Sequence, residues 1–191
     1  MLLSFKDLKI ISKKRDIISS FNFEIDKGEL YPLVYREKEN EIKYIFRYLL
    51  GLRGEFNGEV QLSDNISQNY IENILFLPEK GGFYTQLTGI EHFVFFNKLY
   101  LNFSFEKARE IAYKFKIPLE LKLKKLPDFQ RRIVLISALL AVDLPILFLE
   151  NPLRNLPGAE ASLLQYVFKE ELQKEREILL TINEDRVQRY N

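Results

Sequence analysis

Few residues in this sequence combine a reactive side chain with a spacing that suggests catalysis. The chain has no cysteine, which excludes disulfides, thiol nucleophiles and cysteine-based metal sites. It has one histidine, His92, so a histidine-rich metal site is excluded as well. Because His92 follows Glu91 on an expected helix, we interpret it as a surface or interface residue and not as a catalytic one. The adjacent carboxylates Glu170 and Glu171 could serve acid–base chemistry, but they lie at the charged end of a helix, and we interpret them as solvated.

A second group of carboxylates could form a hard-metal site. Glu37, Glu39 and Glu41 lie close together, and Asp26 precedes them. Carboxylate oxygens of this kind suit Mg²⁺ or Ca²⁺. The three glutamates also lie at the expected start of a helix, where the helix dipole favours negative charge. We therefore interpret all four as exposed carboxylates and predict no metal site.

Hydrophobic periodicity predicts strands towards both ends of the chain and helices in the middle. Alternating or wholly apolar runs predict strands, and apolar residues at helical spacing predict helices. The predicted strands are 2–11, 17–25, 30–35, 58–62, 74–77, 145–149 and 178–182. The predicted helices are 39–50, 88–99, 104–115, 130–141 and 159–174. Thr88 and Glu91 form a capping-box pattern at the start of one of these helices. Strand–helix–strand alternation around a helical insert predicts an α/β domain with a parallel core.

The bulk composition limits the number of domains and the class of partner. A length of 191 residues fits one domain, 1–191. A formal net charge of +1 gives no general attraction to nucleic acid, so we predict no nucleic-acid partner. No apolar run reaches the length of about 18 residues that spans a bilayer. We expect a cytoplasmic protein that can still sit on a membrane partner.

Seven collinear segments of the chain resemble the ATP-binding (nucleotide-binding) domain of ABC transporters. The segments are Asp26–Glu29, Leu49–Leu52, Phe76–Glu79, Leu87–Glu91, Leu126–Arg132, Leu147–Pro152 and Leu180–Asn183. They resemble, in that order, the turn before the nucleotide-binding strand, the end of the helix after the phosphate loop, the strand into the Q-loop, the start of the helical subdomain, the signature motif, Walker B and the switch-histidine strand. The resemblance implies a P-loop-NTPase-like α/β fold with a mainly parallel core sheet. It also implies an N-terminal antiparallel β part and a helical subdomain over about 84–140.

The resemblance aligns functional positions of that family with residues of different chemistry in this chain. The phosphate loop corresponds to 36–43, which contains no glycine, and a slip of one residue puts Lys43 in the place of the phosphate lysine. The signature serine and glycines correspond to Pro127, Asp128 and Phe129. Glu79 stands at the position of the Q-loop glutamine, and Glu150 at that of the Walker B aspartate. Asn151 stands at the position of the catalytic glutamate, and Asn183 at that of the switch histidine.

These replacements predict a degenerate site. Asparagine lacks the basicity of a general base, and carboxylates close to a triphosphate repel it. We therefore predict a pseudo-ATPase that is not an enzyme, takes no cofactor and supports a transporter, most simply an exporter, through its shape. The alternative is a divergent but active ATPase that uses Lys43 and Glu150 with ATP and Mg²⁺. A soluble binding protein on the same fold is a third possibility.

The resemblance also implies a partner surface. In the family, the segment after the Q-loop receives a cytoplasmic helix of the membrane subunit, and here that segment runs from Glu79 to Leu87 with Phe83 and Tyr84 within it. Large aromatic side chains are effective anchors at interfaces. We therefore predict a multi-span permease as partner, with an intact ATPase subunit or a second copy of this chain beside it. The protein would then be peripheral to the inner or cytoplasmic membrane.

Overall fold

A computed structural model describes residues 3–12, 15–18, 20–26, 28–35, 45–52, 55–62 and 70–183. The strands are β1 Leu3–Ser12, β2 Arg15–Ile18, β3 Phe23–Ile25, β4 Leu30–Tyr35, β5 Glu55–Leu62, β6 Ile74–Leu77, β7 Ile146–Glu150 and β8 Glu177–Asn183. The helices are α1 Ile45–Leu49, α2 Gly89–Leu99, α3 Phe105–Lys114, α4 Asp128–Leu140 and α5 Gly158–Leu172. Two short 3₁₀ turns lie at Tyr70–Asn73 and Leu123–Lys125.

The central sheet is parallel, in the order β4-β8-β7-β6. Every residue of β7 is buried, and so is every residue of β8 except the last. Wholly apolar strands of this kind are expected at the centre of a parallel sheet that is covered on both faces. Alternate residues of β7 do face two different hydrophobic clusters: Leu147 and Leu149 pack against the helices, and Ile146 and Phe148 pack against α1 and the other sheet. The predicted parallel core is confirmed.

The second sheet is antiparallel and is built on β1. Strand β5 pairs along most of one edge of β1, and β2 and β3 pair with opposite ends of the other edge. The pairing with β5 is irregular between Lys6 and Lys9, where Asp7 has a φ of 51°. Opposite this bulge, Gly58 has a φ of 135°, and a Cβ there would lie 2.8 Å from the Lys6 carbonyl oxygen. Glycine is therefore required at this close approach of two backbones.

One predicted strand is divided in the structure. The alternation over 17–25 predicts a continuous strand, but residues 20–22 are not in a strand, and they separate β2 from β3. Backbone contact with β1 continues there, since Leu8 and Phe21 exchange two backbone hydrogen bonds. At the bulge, the Asp7 N–H donates to the Asn22 side-chain oxygen at 2.7 Å, so a side chain takes the place of a backbone acceptor.

The helical middle of the chain follows the sequence prediction closely. Helix α2 has Thr88 as its N-cap, and the capping box is formed: the Thr88 hydroxyl accepts from the Glu91 N–H, and the Glu91 carboxylate accepts from the Thr88 N–H. Its aromatic residues differ in burial, since Phe93 and Phe96 are buried while Phe95 is half-buried. None of the helices in the described ranges is long and apolar enough to cross a membrane.

Candidate active site at the carboxyl edge of the parallel sheet

Four residues singled out from the sequence lie at the carboxyl ends of neighbouring parallel strands. Glu79 follows β6, Glu150 ends β7 with Asn151 directly after it, and Asn183 ends β8. In open α/β sheets, ligands bind in the crevice outside these strand ends. Strand β4 ends at the same edge, at Tyr35, directly before the predicted phosphate loop. Lys43 and the rest of that loop lie outside the described residues, as do Glu37, Glu39 and Glu41.

Glu150 is a buried carboxylate paired with an arginine from α1. Its side chain is 1% exposed, and the Arg47 Nη2 lies 2.7 Å from its Oε2. The Arg47 Nε also donates to Oε1 at 2.8 Å, which makes the pair bidentate. Planar guanidinium–carboxylate pairs of this kind are the strong class of ion pair. The pair joins residues 103 positions apart and could not be foreseen from local sequence.

Glu79 and Asn151 are linked side chain to side chain. The Asn151 Nδ2 donates to the Glu79 Oε1 at 3.2 Å, and the Arg154 Nε lies 3.9 Å from the same oxygen. Asn151 has a φ of 46°, a left-handed conformation that asparagine tolerates better than most residues. Its N–H donates to the Thr181 carbonyl, which ties the end of β7 to β8. The strand ends are therefore held together by polar contacts.

Arg132 is a central residue of this edge that the sequence reasoning missed. It is 5% exposed and lies in the second turn of α4. Its guanidinium donates to backbone carbonyls on both sides of the crevice: those of Pro78, Glu79, Glu150, Asn151 and Pro152. Burial lowers the pKa of Arg132 to about 10, so the guanidinium is still charged at neutral pH. The signal in the sequence is an arginine at the start of an otherwise apolar helical run.

The signature-like segment begins α4 earlier than predicted. The helix starts at Asp128, two residues before the predicted 130, and Pro127 is its N-cap without a side-chain hydrogen bond. The Arg131 Nη1 donates to the Leu126 carbonyl at 2.9 Å, and this contact holds the turn in place. A cavity of about 180 Å³ lies between this helix start and the segment after β6. Its lining residues are Glu79, Lys80, Gly81, Phe83, Asp128, Arg132 and Arg154.

The predicted partner-binding residues differ in their exposure. Tyr84 is 60% exposed and packs edge-on against Phe95 at 5.4 Å between ring centroids. Phe83 is half-buried, with the Arg131 guanidinium 5.8 Å from its ring centroid. Leu87 is half-buried as well, and its carbonyl accepts from the Leu123 N–H at 2.8 Å. Tyr84 is the member of this group that presents a large aromatic surface to solvent.

His92 is buried, which contradicts its interpretation as a surface residue. It is 1% exposed, its Nε2 accepts from the Tyr84 N–H at 2.9 Å, and its Nδ1 lies 3.2 Å from the Thr88 carbonyl oxygen. Since Nε2 accepts, Nδ1 carries the proton. The imidazole therefore positions the backbone of Tyr84 by hydrogen bonds that only its neutral form can make. The alternation of polar and apolar residues on α2 does not show this, because the partner lies in the preceding loop.

We expect His92 to make stability depend on pH. The pKa of His92 is lowered, because the effect of burial is larger than the opposite effects of the Thr88 hydrogen bond and the Glu91 charge. Between the folded pKa and the unfolded pKa of about 6.5, the unfolded chain binds more protons, so stability falls as pH decreases below about 6.5. Urea unfolding of wild type and His92→Gln from pH 5 to 7.5 should show a steeper loss in the wild type. Because the chain has one histidine, its imidazole resonance reports the pKa directly, and a pKa at or above 6.5 would contradict this prediction.

Glu171 is also buried, which corrects its interpretation as a solvated carboxylate. Glu171 is 2% exposed and pairs with Lys107, Lys174 and Arg176 at 2.7, 2.9 and 2.8 Å. Glu170 is half-buried and pairs with Lys114 at 2.8 Å. Both carboxylates are engaged by cations from α3, and Glu171 also by cations that follow α5, so they support packing and not acid–base chemistry. Within the described part of the chain, no group of three or more His, Cys, Asp or Glu side chains could hold a metal ion.

Comparison with known proteins shows which proteins this chain resembles in sequence and fold. The chain is 24% identical over 192 residues to the cytochrome c biogenesis ATP-binding export protein CcmA of Vibrio cholerae, covering 96% of this chain and 92% of that protein. It superposes on the ATP-binding subunit of an ABC transporter with a TM-score of 0.76 and 19% identity, over 96% of this chain and 80% of the other. An ABC transporter ATP-binding protein of Pyrococcus furiosus gives a TM-score of 0.81 and 17% identity, over 96% and 92%. The fold is that of an ABC-transporter ATP-binding subunit. No protein-family model matches the chain.

These likenesses contradict two predictions made from the sequence. The ABC ATP-binding fold extends over nearly the whole chain, and the similar proteins are ATP-binding subunits by name. The predictions that the chain takes no cofactor and is not an enzyme are therefore wrong. They rested on residue types at aligned positions, whereas phosphate binding at a strand end depends largely on backbone N–H groups and helix termini, whose arrangement a residue type does not report.

Proposed function

We propose that this chain is the ATP-binding subunit of an ABC transporter of the exporter class, acting with ATP and Mg²⁺ in a divergent site. The observation that carries the proposal is the buried Glu150 carboxylate at the carboxyl end of β7, in the ligand crevice of an ABC ATP-binding fold. The relative that matches over 96% of the chain is named an ATP-binding export protein. Both point to nucleotide at this sheet edge.

The side chains at this edge fit a magnesium–nucleotide pair. Mg²⁺ is bound through one or two carboxylates and substrate phosphates, and Glu150 supplies a carboxylate at the end of β7. When bound, Mg²⁺ would neutralise phosphate charge and orient the phosphates. Glu79 would accept a proton from a water, because it is partly exposed and held by Asn151. Lys43, at the predicted phosphate loop, would contact the phosphates.

ATP binding and turnover by the purified chain test this function. Saturating the site at about a hundredfold over its dissociation constant would raise the free energy of unfolding by roughly 2.7 kcal/mol, which calorimetry and thermal shift both detect. We expect Lys43→Ala and Glu150→Gln each to lower turnover by about a hundredfold or more. The first removes a positive charge from the phosphates, and the second removes a carboxylate that would hold Mg²⁺. Glu120→Gln, at an exposed carboxylate beyond α3, is the matched control and should hydrolyse ATP like the wild type. Absence of ATP binding by the wild type would refute the proposal.

The same function requires a membrane partner, and we propose that Phe83 and Tyr84 anchor it. A permease would sit against the segment from Glu79 to Leu87, at the cytoplasmic face of the membrane, beside an intact ATPase subunit or a second copy of this chain. The exposed ring of Tyr84 is the support for this surface.

Co-purification with a co-expressed multi-span permease tests the anchor. We expect Phe83→Ala/Tyr84→Ala to reduce recovery of the permease about tenfold or more, because truncated aromatic anchors cost about 2 kcal/mol or more. Tyr113→Ala is the matched control, since Tyr113 is an aromatic residue that is 83% exposed on α3. Equal recovery with the double variant and with this control would remove the docking surface from the proposal.

A further inference from the structure

The carboxylate of Glu150 is occupied by protein donors. Arg47 makes three of its contacts, with Nε at 2.8 Å from Oε1 and 3.1 Å from Oε2, and Nη2 at 2.7 Å from Oε2. The Glu79 N–H donates to Oε2 at 2.9 Å. A carboxylate has about four lone-pair sites. Oε2 is therefore saturated, and Oε1 also accepts from the guanidinium.

Burial makes a cation at this position necessary. Glu150 is 1% exposed, whereas the Arg47 side chain is 29% exposed. A buried carboxylate without a positive partner is costly, so removing one partner of such a pair is strongly unfavourable. Any metal ion that binds the Glu150 carboxylate must replace the positive charge and the hydrogen bonds that Arg47 supplies. The exposed side of Arg47 gives its guanidinium room to turn away while Glu150 stays in place.

We propose that Arg47 is the resident counter-ion of Glu150 and competes with a divalent cation for this carboxylate. Arg47 is then a positioning residue: it keeps Glu150 ordered when no metal is bound, and it sets how much Mg²⁺ the site requires. The inference rests on the proposed function, since that function brings Mg²⁺ to the crevice. The Coulomb attraction of a guanidinium about 3 Å away is what the metal must overcome.

Direct binding of Mn²⁺, followed by electron paramagnetic resonance without nucleotide, tests the competition. We expect Arg47→Gln to bind Mn²⁺ on the order of tenfold more tightly than the wild type, because the competing charge is gone. Arg154→Gln is the matched control: it removes the same charge near Glu79, 3.9 Å away, without a contact to Glu150. The double variant Arg47→Gln/Glu150→Gln should lose the increase in Mn²⁺ affinity. Equal affinities for Arg47→Gln and Arg154→Gln, a gain that survives Glu150→Gln, or no Mn²⁺ binding by any variant would overturn the inference.

A second variant keeps the test decisive if Arg47→Gln does not fold, which circular dichroism would show. Arg47→Lys keeps the charge but cannot form the bidentate contact, so it should bind Mn²⁺ severalfold more tightly than the wild type. An unchanged affinity would overturn the inference. Because no nucleotide is present, the result is independent of ATP binding. Failure of the wild type to bind ATP, with the Mn²⁺ pattern intact, would refute the proposed function and leave the competition standing.

Discussion

Replacing Arg132 by methionine should destabilise the protein by about 3–5 kcal/mol. Hydrogen bonds from a charged donor contribute about 1.5–3 kcal/mol each, and Arg132 makes its shortest ones, at 2.6 and 2.9 Å, to the carbonyls of Glu150 and Pro78. These carbonyls lie on the two sides of the candidate site. Methionine fills much of the volume but leaves the carbonyls without that donor. Urea unfolding at pH 7 measures the loss.

Arg131→Met is the matched control for that experiment. Arg131 lies next to Arg132 on α4 but is half-buried, and its guanidinium donates to Leu126 and Asp128 near the surface. Its loss should cost about 1 kcal/mol, as for a partly exposed hydrogen bond. Equal destabilisation by the two variants would contradict the central role of Arg132. If Arg132→Met folds, its ATP affinity should also fall, because the ends of β6 and β7 are no longer held together.

Replacing Arg176 by methionine should also cost about 3–5 kcal/mol. Arg176 is 4% exposed and donates to Glu171 and to three backbone carbonyls at and just after the end of α4, those of Leu140, Val142 and Leu144. Removing it leaves helix-terminal carbonyls without a donor and weakens the neutralisation of a buried carboxylate. The free energy of unfolding of Arg176→Met, Glu171→Leu and the double variant gives the coupling. Additive losses would show that the two side chains do not act as a pair.

The same cluster predicts a loss of stability in acid. Burial raises the pKa of Glu171, but the hydrogen bonds from Lys107, Lys174 and Arg176 together lower it below its ordinary value of 4.5. The folded pKa lies below the unfolded one, so this stabilisation is present above about 4.5 and is lost as pH falls through the folded pKa. Glu171→Gln should therefore flatten the stability profile between pH 5 and pH 3.

Local sequence determined most of the secondary structure because its signals are local. Strands β4 and β6 begin and end where alternation and apolar runs predict, and Thr88 with Glu91 marks the start of α2. Periods of 2 and 3.6 follow from backbone geometry, so they show in any window of the chain. The bulge opposite Gly58 was not predicted, since it arises from the pairing of β1 with β5.

The positions of Glu79, Glu150 and Asn151 at one sheet edge could also be predicted, since they follow strands that a parallel sheet aligns. Their chemical environment could not. The prediction of no cofactor rested on the combined replacement of residue types at the functional positions, and the comparisons overturned it. The pairing of Glu150 with Arg47 depends on how α1 packs against β7. An alignment of single positions carries no information about that packing.

By itself, the sequence determined which residues form strands and helices and which faces of them are apolar. The tertiary structure alone decided which charges are buried together. Packing brings together three sets of polar groups: Arg47 with Glu150, Arg132 with the carbonyls of two loops, and His92 with Tyr84. A charged or polar side chain has the same local sequence pattern whether it faces solvent or a partner. Its environment is set by the element packed against it, and that element is distant in the chain or belongs to a loop without periodicity.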